Sequence, residues 1–191
     1  MSIITSLQER RAIRNYDGRD VEDDKIRQLL EAATWAPNDR LREPWTFYVV
    51  KGEAKERYNR LAEEFLQERF PTKPHLIESS LKVVLSTPVH IIVTSDIVPD
   101  DPDATKDNVF AVSCAIHSMW LAAHDLGLGF VWRTRGVGLV HDGRLHRFIG
   151  SPENKQIIGN LFIGYPDPES LAKLKTPART PHEEKTVWLD M

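Results

Sequence analysis

Apolar positions recur along this chain at two periods, near 3.6 and near 2, and the switches between them predict its elements. Behind Ser2, the helical spacing of Ile3, Ile4, Leu7 and Arg11 predicts a first helix over residues 2–14 that ends in a basic turn. Residues 15–19 contain Asp-Gly and read as a loop. A second helix is predicted over 22–35, with Ile26, Leu29, Leu30 and Ala33 as its apolar stripe and Glu22, Asp23 and Asp24 at its positive end. Pro37 stops it, and a polar, irregular stretch follows over 38–43. The aromatic and β-branched run 45–50 predicts a strand. Tyr58, Leu61, Ala62, Phe65 and Leu66 mark a third helix over 53–70.

Residues 71–87 open with Pro71 and Pro74 and read as a mobile segment with room for a short helix. The stretch 88–94 is the cleanest strand, followed by an acidic loop with Pro99 and Pro102. Segment 109–126 is apolar on nearly every face, which predicts a helix buried centrally or in a subunit interface. Gly127 caps it. A strand at 129–132, a short helix at 142–148 and a strand at 157–164 follow. The proline-rich tail from 166 ends in a β-like Thr-Val-Trp-Leu. No repeat or linker divides the chain, so one domain over 1–191 is expected, of α/β or α+β class around one mixed sheet.

Charge narrows the function classes. Lys and Arg total 25 against 28 for Asp and Glu, a net charge of −3, which argues against nucleic-acid and polybasic membrane partners. A single cysteine, Cys114, excludes an intrachain disulfide framework, and its apolar surroundings predict an inert core residue. No charged and apolar leader opens the chain, and no uncharged apolar run reaches 18 residues. A cytoplasmic domain is therefore expected.

Three segments carry candidate chemistry. In Arg10-Arg11-Ala12-Ile13-Arg14, a continuing helix would place Arg10 and Arg14 on one face with Arg11 beside Arg14. A phosphate dianion would relieve that repulsion, because guanidinium forks match phosphate oxygens; a solvated helix end explains the residues equally well. The loop from Ala36 to Trp45 forms a polar rim suited to the edge of a flat ligand, or an ordinary connection. Between Gly127 and Gly136, glycines permit close backbone approach beside Trp132 and Arg133. Their spacing is not a dinucleotide fingerprint, no phosphate-binding Walker loop exists, and Gly-x-Ser-x-Gly is absent. His117 with His124, and His141 with His146, lack metal-ligand spacing, so no metal is expected.

As an ordered set these segments resemble the nitroreductase family, the flavin mononucleotide (FMN) dependent oxidoreductases, in its compact branch. Arg10–Arg14 is similar to its Arg-Arg-Ser-Ile-Arg opening. Glu31–Pro37 with Pro44–Val50 resembles its helix, Ala-Pro loop and Gln-Pro-Trp strand. Leu121–Gly129 with Val131–Thr134 resembles its interface helix and flavin-facing loop, and Ile158–Pro166 its last core strand. The resemblance implies an α+β fold with a central mixed, mainly antiparallel sheet flanked by helices. It also implies a long apolar interface helix and an intertwined homodimer.

Carried over residue by residue, Arg10, Arg11 and Arg14 would hold the FMN phosphate and ribityl chain, with Ala12 where serine is usual. Trp132, Arg133 and Thr134 would run beside the isoalloxazine, a backbone N–H lying near N5. Trp35, Pro37, Asn38 and Asp39 would approach the same flavin from the partner subunit, and Arg179 is the candidate for an added phosphate contact. The implied reaction passes hydride from NADH or NADPH through N5 to a nitroaromatic, quinone or similar acceptor, in ping-pong fashion. No side chain is then needed as catalytic acid or base. Leu41 and Glu43 replace the usual Asn and Gln. A carboxylate there would oppose an anionic reduced flavin, so Glu43 is expected to point outward or the loop to sit differently. Two rivals stand beside this reading: a flavin protein that fragments or senses flavin, and a non-enzymatic dimeric module whose basic turn docks an acidic partner.

Overall fold

The computed structural model describes residues 2–189. Helix α1 (Ile3–Glu9) leads to α2 (Asp23–Thr34), strand β1 (Trp45–Val50) and a helical pair, α3 (Gly52–Arg69) and α4 (Pro74–Ser86). Strand β2 (Val89–Asp96), the long α5 (Pro102–Asp125), β3 (Gly129–Arg133), α6 (Gly143–Phe148), β4 (Lys155–Gly164) and α7 (Pro168–Ala172) complete the order. The sheet runs β1-β2-β4-β3, every neighbouring pair antiparallel. Its one parallel contact among the described residues is a bridge between Ala12 and Phe130.

Alternation along the strands splits the core into two layers. Ile91, Val93, Phe130, Leu161 and Ile163 face α2 and α5, where Leu29, Ala33, Val112, Ile116 and Met119 meet them. Ile92, Val131 and Phe162 face the other way, onto Tyr58, Ala62 and Leu66 of α3, Val84 of α4 and Leu145 of α6. The α+β class with a mainly antiparallel sheet therefore stands. No helix among the described residues is long and apolar enough to cross a membrane.

Several expectations need correction. The first helix ends at Glu9 instead of continuing to residue 14, because the chain turns extended and pairs with the sheet edge. The Ile13 N–H donates to the Phe130 carbonyl at 3.1 Å. Gly129 permits that approach: a Cβ there would lie 2.6 Å from Ile13 Cγ2. Arg10 and Arg14 consequently share no helical face. Helix α4 fills most of the segment read as mobile, Pro74 opening its first turn. Helix α5 starts at Pro102, not at 109, with the Asp101 carboxylate accepting the Ala104 N–H at 2.8 Å. Cys114 is exposed on the outer face of α5 instead of lying in the core. Thr186–Leu189 forms no strand; Val187, Trp188 and Leu189 are more than 80% exposed with no sheet edge to pair on.

Candidate functional site at the β3 edge

The extended segment after α1 lies along the outer edge of β3 and spreads its arginines over about 13 Å, four residues at strand rise. At one end the Arg10 guanidinium lies over the Trp120 indole, 4.2 Å from the ring centroid. Trp120 is itself stacked on Phe130 at 5.3 Å and donates its Nε1–H to the Arg11 carbonyl at 3.3 Å. Arg10 Nε is buried without a hydrogen-bond partner. Burial, then the charges of Arg179 and Arg11, lower its pKa from the usual value. Arg179 in the tail thus stands close enough to Arg10 to matter electrostatically. Glu9, next in sequence, leans instead toward His124, 3.8 Å away. The result is a cluster of guanidiniums that form no ion pair among the described residues, with Glu9 the nearest carboxylate in the chain.

Arg14 stands exposed at the other end, its Nη1 on the Ala12 carbonyl at 3.3 Å. Strand parity then separates Trp132 from Arg133. The Trp132 ring packs against Gly159, where a Cβ would meet Nε1 at 2.1 Å, and donates to the Ile158 carbonyl at 3.2 Å. Arg133 points to the opposite sheet face, over the Phe162 ring at 4.8 Å, with Nε unpartnered. Burial is the main cause that lowers its pKa, opposed by nearby Tyr16 and reinforced by Arg14. The two side chains therefore form no common platform. What β3 offers at its outer edge is backbone: Phe130 directs its carbonyl to Ile13, so Trp132, two residues on, turns its N–H and C=O the same way, beyond the bridge. Thr134 follows, exposed.

The other predicted segment lies elsewhere in the chain. Trp35 is 81% exposed with its Nε1–H on Glu31 Oε1, Asp39 pairs with Arg42 at 3.1 Å, and Asn38 accepts the Glu43 N–H at 2.9 Å. Pro37 and Glu43 are exposed. Arg40, Leu41 and Glu43 all hold left-handed backbone, a strained arrangement for non-glycine residues. This loop precedes β1, at the sheet edge opposite β3, three strand spacings or about 14 Å away. One chain therefore does not bring Trp35–Asp39 to Arg10–Arg14.

Pattern reading missed the buried polar cluster behind β3. Tyr58 donates to the Val137 carbonyl and accepts from Asn160 Nδ2 at 2.9 Å. His90 is fully buried between Tyr58 and Phe162, both ring nitrogens unpartnered, and burial pushes its pKa down to about 3. No local signal marks these contacts, which join residues far apart in sequence. Among the described residues no group of three or more His, Cys, Asp or Glu side chains assembles as a metal site.

Fold and edge define a class: an α+β domain with an arginine cluster and an open strand edge at one rim of an antiparallel sheet. The chain belongs to the nitroreductase family, whose model matches residues 7–165. The Bacillus subtilis (strain 168) protein YfhC, which carries a provisional NAD(P)H nitroreductase name, is 29% identical over 91% of this chain and 89% of its own. The 5,6-dimethylbenzimidazole synthase of Rhodospirillum rubrum is 25% identical over 92% and 89%. Among solved structures, a nitroreductase-like family protein from Bacillus cereus superposes with a TM-score of 0.83 at 30% identity, covering 100% of this chain and 97% of that one. A Bacteroides fragilis nitroreductase with bound FMN shares the fold, with a TM-score of 0.72 at 21% identity and full coverage of both chains.

Proposed function

We propose that this oxidoreductase-family chain is an FMN-dependent enzyme that moves hydride from NADH or NADPH to an electrophilic acceptor such as a nitroaromatic or a quinone. It works as a cytoplasmic homodimer. The observation that carries the reading is the buried, unpartnered Arg10 Nε with Arg11 and Arg179 beside it, none of the three in an ion pair among the described residues. A terminal phosphate fits that slot in charge and in hydrogen-bonding capacity. The bound FMN of a structural neighbour supports the same choice of ligand, and the NAD(P)H in a relative's name supports the co-substrate.

In this reading Arg10, Arg11 and Arg179 hold the phosphate, Arg14 follows the ribityl chain past Ala12, and the outward backbone of Trp132 and Thr134 orients the ring. When bound, FMN supplies hydride acceptance and donation at N5, which no side chain here provides. Arg133 acts from behind the strand as a partly buried positive charge. The Trp35–Asp39 loop of a second copy covers the ring, since the loop of the same chain lies at the far edge. Support for the dimer comes from α5, whose outer face exposes Phe110 (56%), Cys114 and His117 at helical spacing.

The test is an absorbance spectrum of purified protein followed by anaerobic NADH or NADPH. Flavin bands that bleach and return with a nitroaromatic or quinone are the expected result. Bands that never bleach would sink the nicotinamide-dependent reductase. Reduced flavin consumed by oxygen would favour the flavin-fragmenting rival. Protein that takes up no FMN would overturn the whole reading.

A further inference from the structure

Beyond Thr134 the chain folds back on itself and walls a hollow of about 350 Å³ between the last turn of α3 and the start of α6. Its floor is Phe65 and Leu139, and its polar rim is Arg69, Arg135, His141 and Asp142. The wall is held firmly. Gly136 and Leu139 adopt left-handed backbone, at φ 60° and 57°, and a Cβ on Gly138 would lie 2.8 Å from Arg133 Cβ. Tyr58, anchored by Asn160, holds the Val137 carbonyl from below.

The rim charges are unequal in their pairing. Asp142 accepts from Arg144 Nε and Nη2, both at 2.9 Å, and Arg144 also donates to Glu68. Neither Arg69 nor Arg135 has a carboxylate within ion-pair distance among the described residues. Arg69 lies only near the Phe65 and Phe70 rings. Two exposed guanidiniums without an ion-pair partner among the described residues, and the exposed His141 imidazole, therefore border an apolar floor next in the chain to Thr134.

We infer that this hollow is an anion-selecting subsite, which takes the carboxylate or phosphate of a small planar molecule while Phe65 and Leu139 receive its apolar body. Its place beside a redox centre rests on the proposed flavin reading; its preference for anions does not. Pockets of this size hold such ligands with a few convergent polar groups. The shared chemistry admits two sources: an anionic acceptor, or the extra phosphate that separates NADPH from NADH.

The experiment is equilibrium binding to the oxidised, FMN-loaded protein. Probes are 4-nitrobenzoate against its neutral methyl ester, and NADP⁺ against NAD⁺. The expected result is about tenfold tighter binding of the anionic member of one pair, the worth of one charge-assisted hydrogen bond. The Arg69→Ala/Arg135→Ala double variant should abolish that preference. A preference for 4-nitrobenzoate assigns the subsite to the acceptor, and one for NADP⁺ assigns it to the co-substrate. Equal binding within both pairs, or a preference that survives the double variant, overturns the inference. Arg135→Lys, which keeps the charge, should retain the preference and controls for misfolding. If the protein takes up no FMN, the function proposed above fails, while 4-nitrobenzoate binding to the same preparation still decides the subsite.

Discussion

Arg10 lies over the indole of Trp120, with its Cζ 4.2 Å from the ring centroid and its Nε buried without a partner. One face of the guanidinium is thereby fixed on an aromatic ring, and the rest remains available to an anion. If that anion is the FMN phosphate, Arg10→Ala removes one charge-assisted hydrogen bond or two. Each is worth about 1.5–3 kcal/mol, so FMN affinity should fall by at least about tenfold. Flavin fluorescence titration measures this, and an unchanged Kd would refute the role.

Trp132 and Gly159 are in closer contact than any side chain at 159 allows. A Cβ there would come within 2.1 Å of Trp132 Nε1, and the ring is held by the Ile158 carbonyl. Gly159→Ala should therefore cost about 1–3 kcal/mol through overpacking, lowering Tm by roughly 2–12 °C for a chain of this length. Thermal unfolding followed by circular dichroism reads the change. An unaltered Tm would mean that the Trp132 ring has room to move.

His90 predicts an acid sensitivity. Its imidazole is pushed down to about 3 by burial, with Lys55 and Arg133 adding to the effect, against 6.5 for the free group. The unfolded chain takes up a proton below pH 6.5 and the folded one does not until about pH 3. Stability is therefore lost as pH falls through that window, by about 1.4 kcal/mol per pH unit from this group. His90→Phe keeps a ring between Tyr58 and Phe162 and should lessen the slope by about one proton. Denaturant unfolding at pH 7 and pH 5 is the check; equal slopes would mean that His90 is protonated in the fold.

Phe110 tests the assembly. On α5 its side chain is 56% exposed in the single chain, in line with exposed Cys114 and His117. Phe110→Glu would bury a charge in an apolar interface, so it should shift the protein to monomer in sedimentation equilibrium. If the covering loop comes from a second copy, as proposed above, FMN retention should drop with it. A dimer that survives the substitution would place the interface elsewhere.

The elements bounded by local pattern were legible to within a residue or so. Predicted at 22–35, 45–50 and 53–70, they are observed as Asp23–Thr34, Trp45–Val50 and Gly52–Arg69. In each, the spacing of buried side chains matches the period of the backbone. The basic run misled because helical spacing continues through Arg11, while the competing partner, the Phe130 carbonyl, lies more than a hundred residues away. The same distance hides the contact of Arg10 with Trp120.

By itself, the sequence pattern narrowed the class to α/β or α+β, set the apolar faces of its helices and strands, and showed which residue types stand ready for phosphate. Those depend on side-chain periodicity and on chemistry carried by each residue. Only the tertiary structure decided where the charges go. It straightened Arg10–Arg14 along β3, turned Trp132 and Arg133 to opposite faces, put the Trp35–Asp39 loop at the far edge, and set Arg69 and Arg135 around one hollow. Strand order, edge pairing and pleat are set by contacts between distant segments, and no local pattern encodes them.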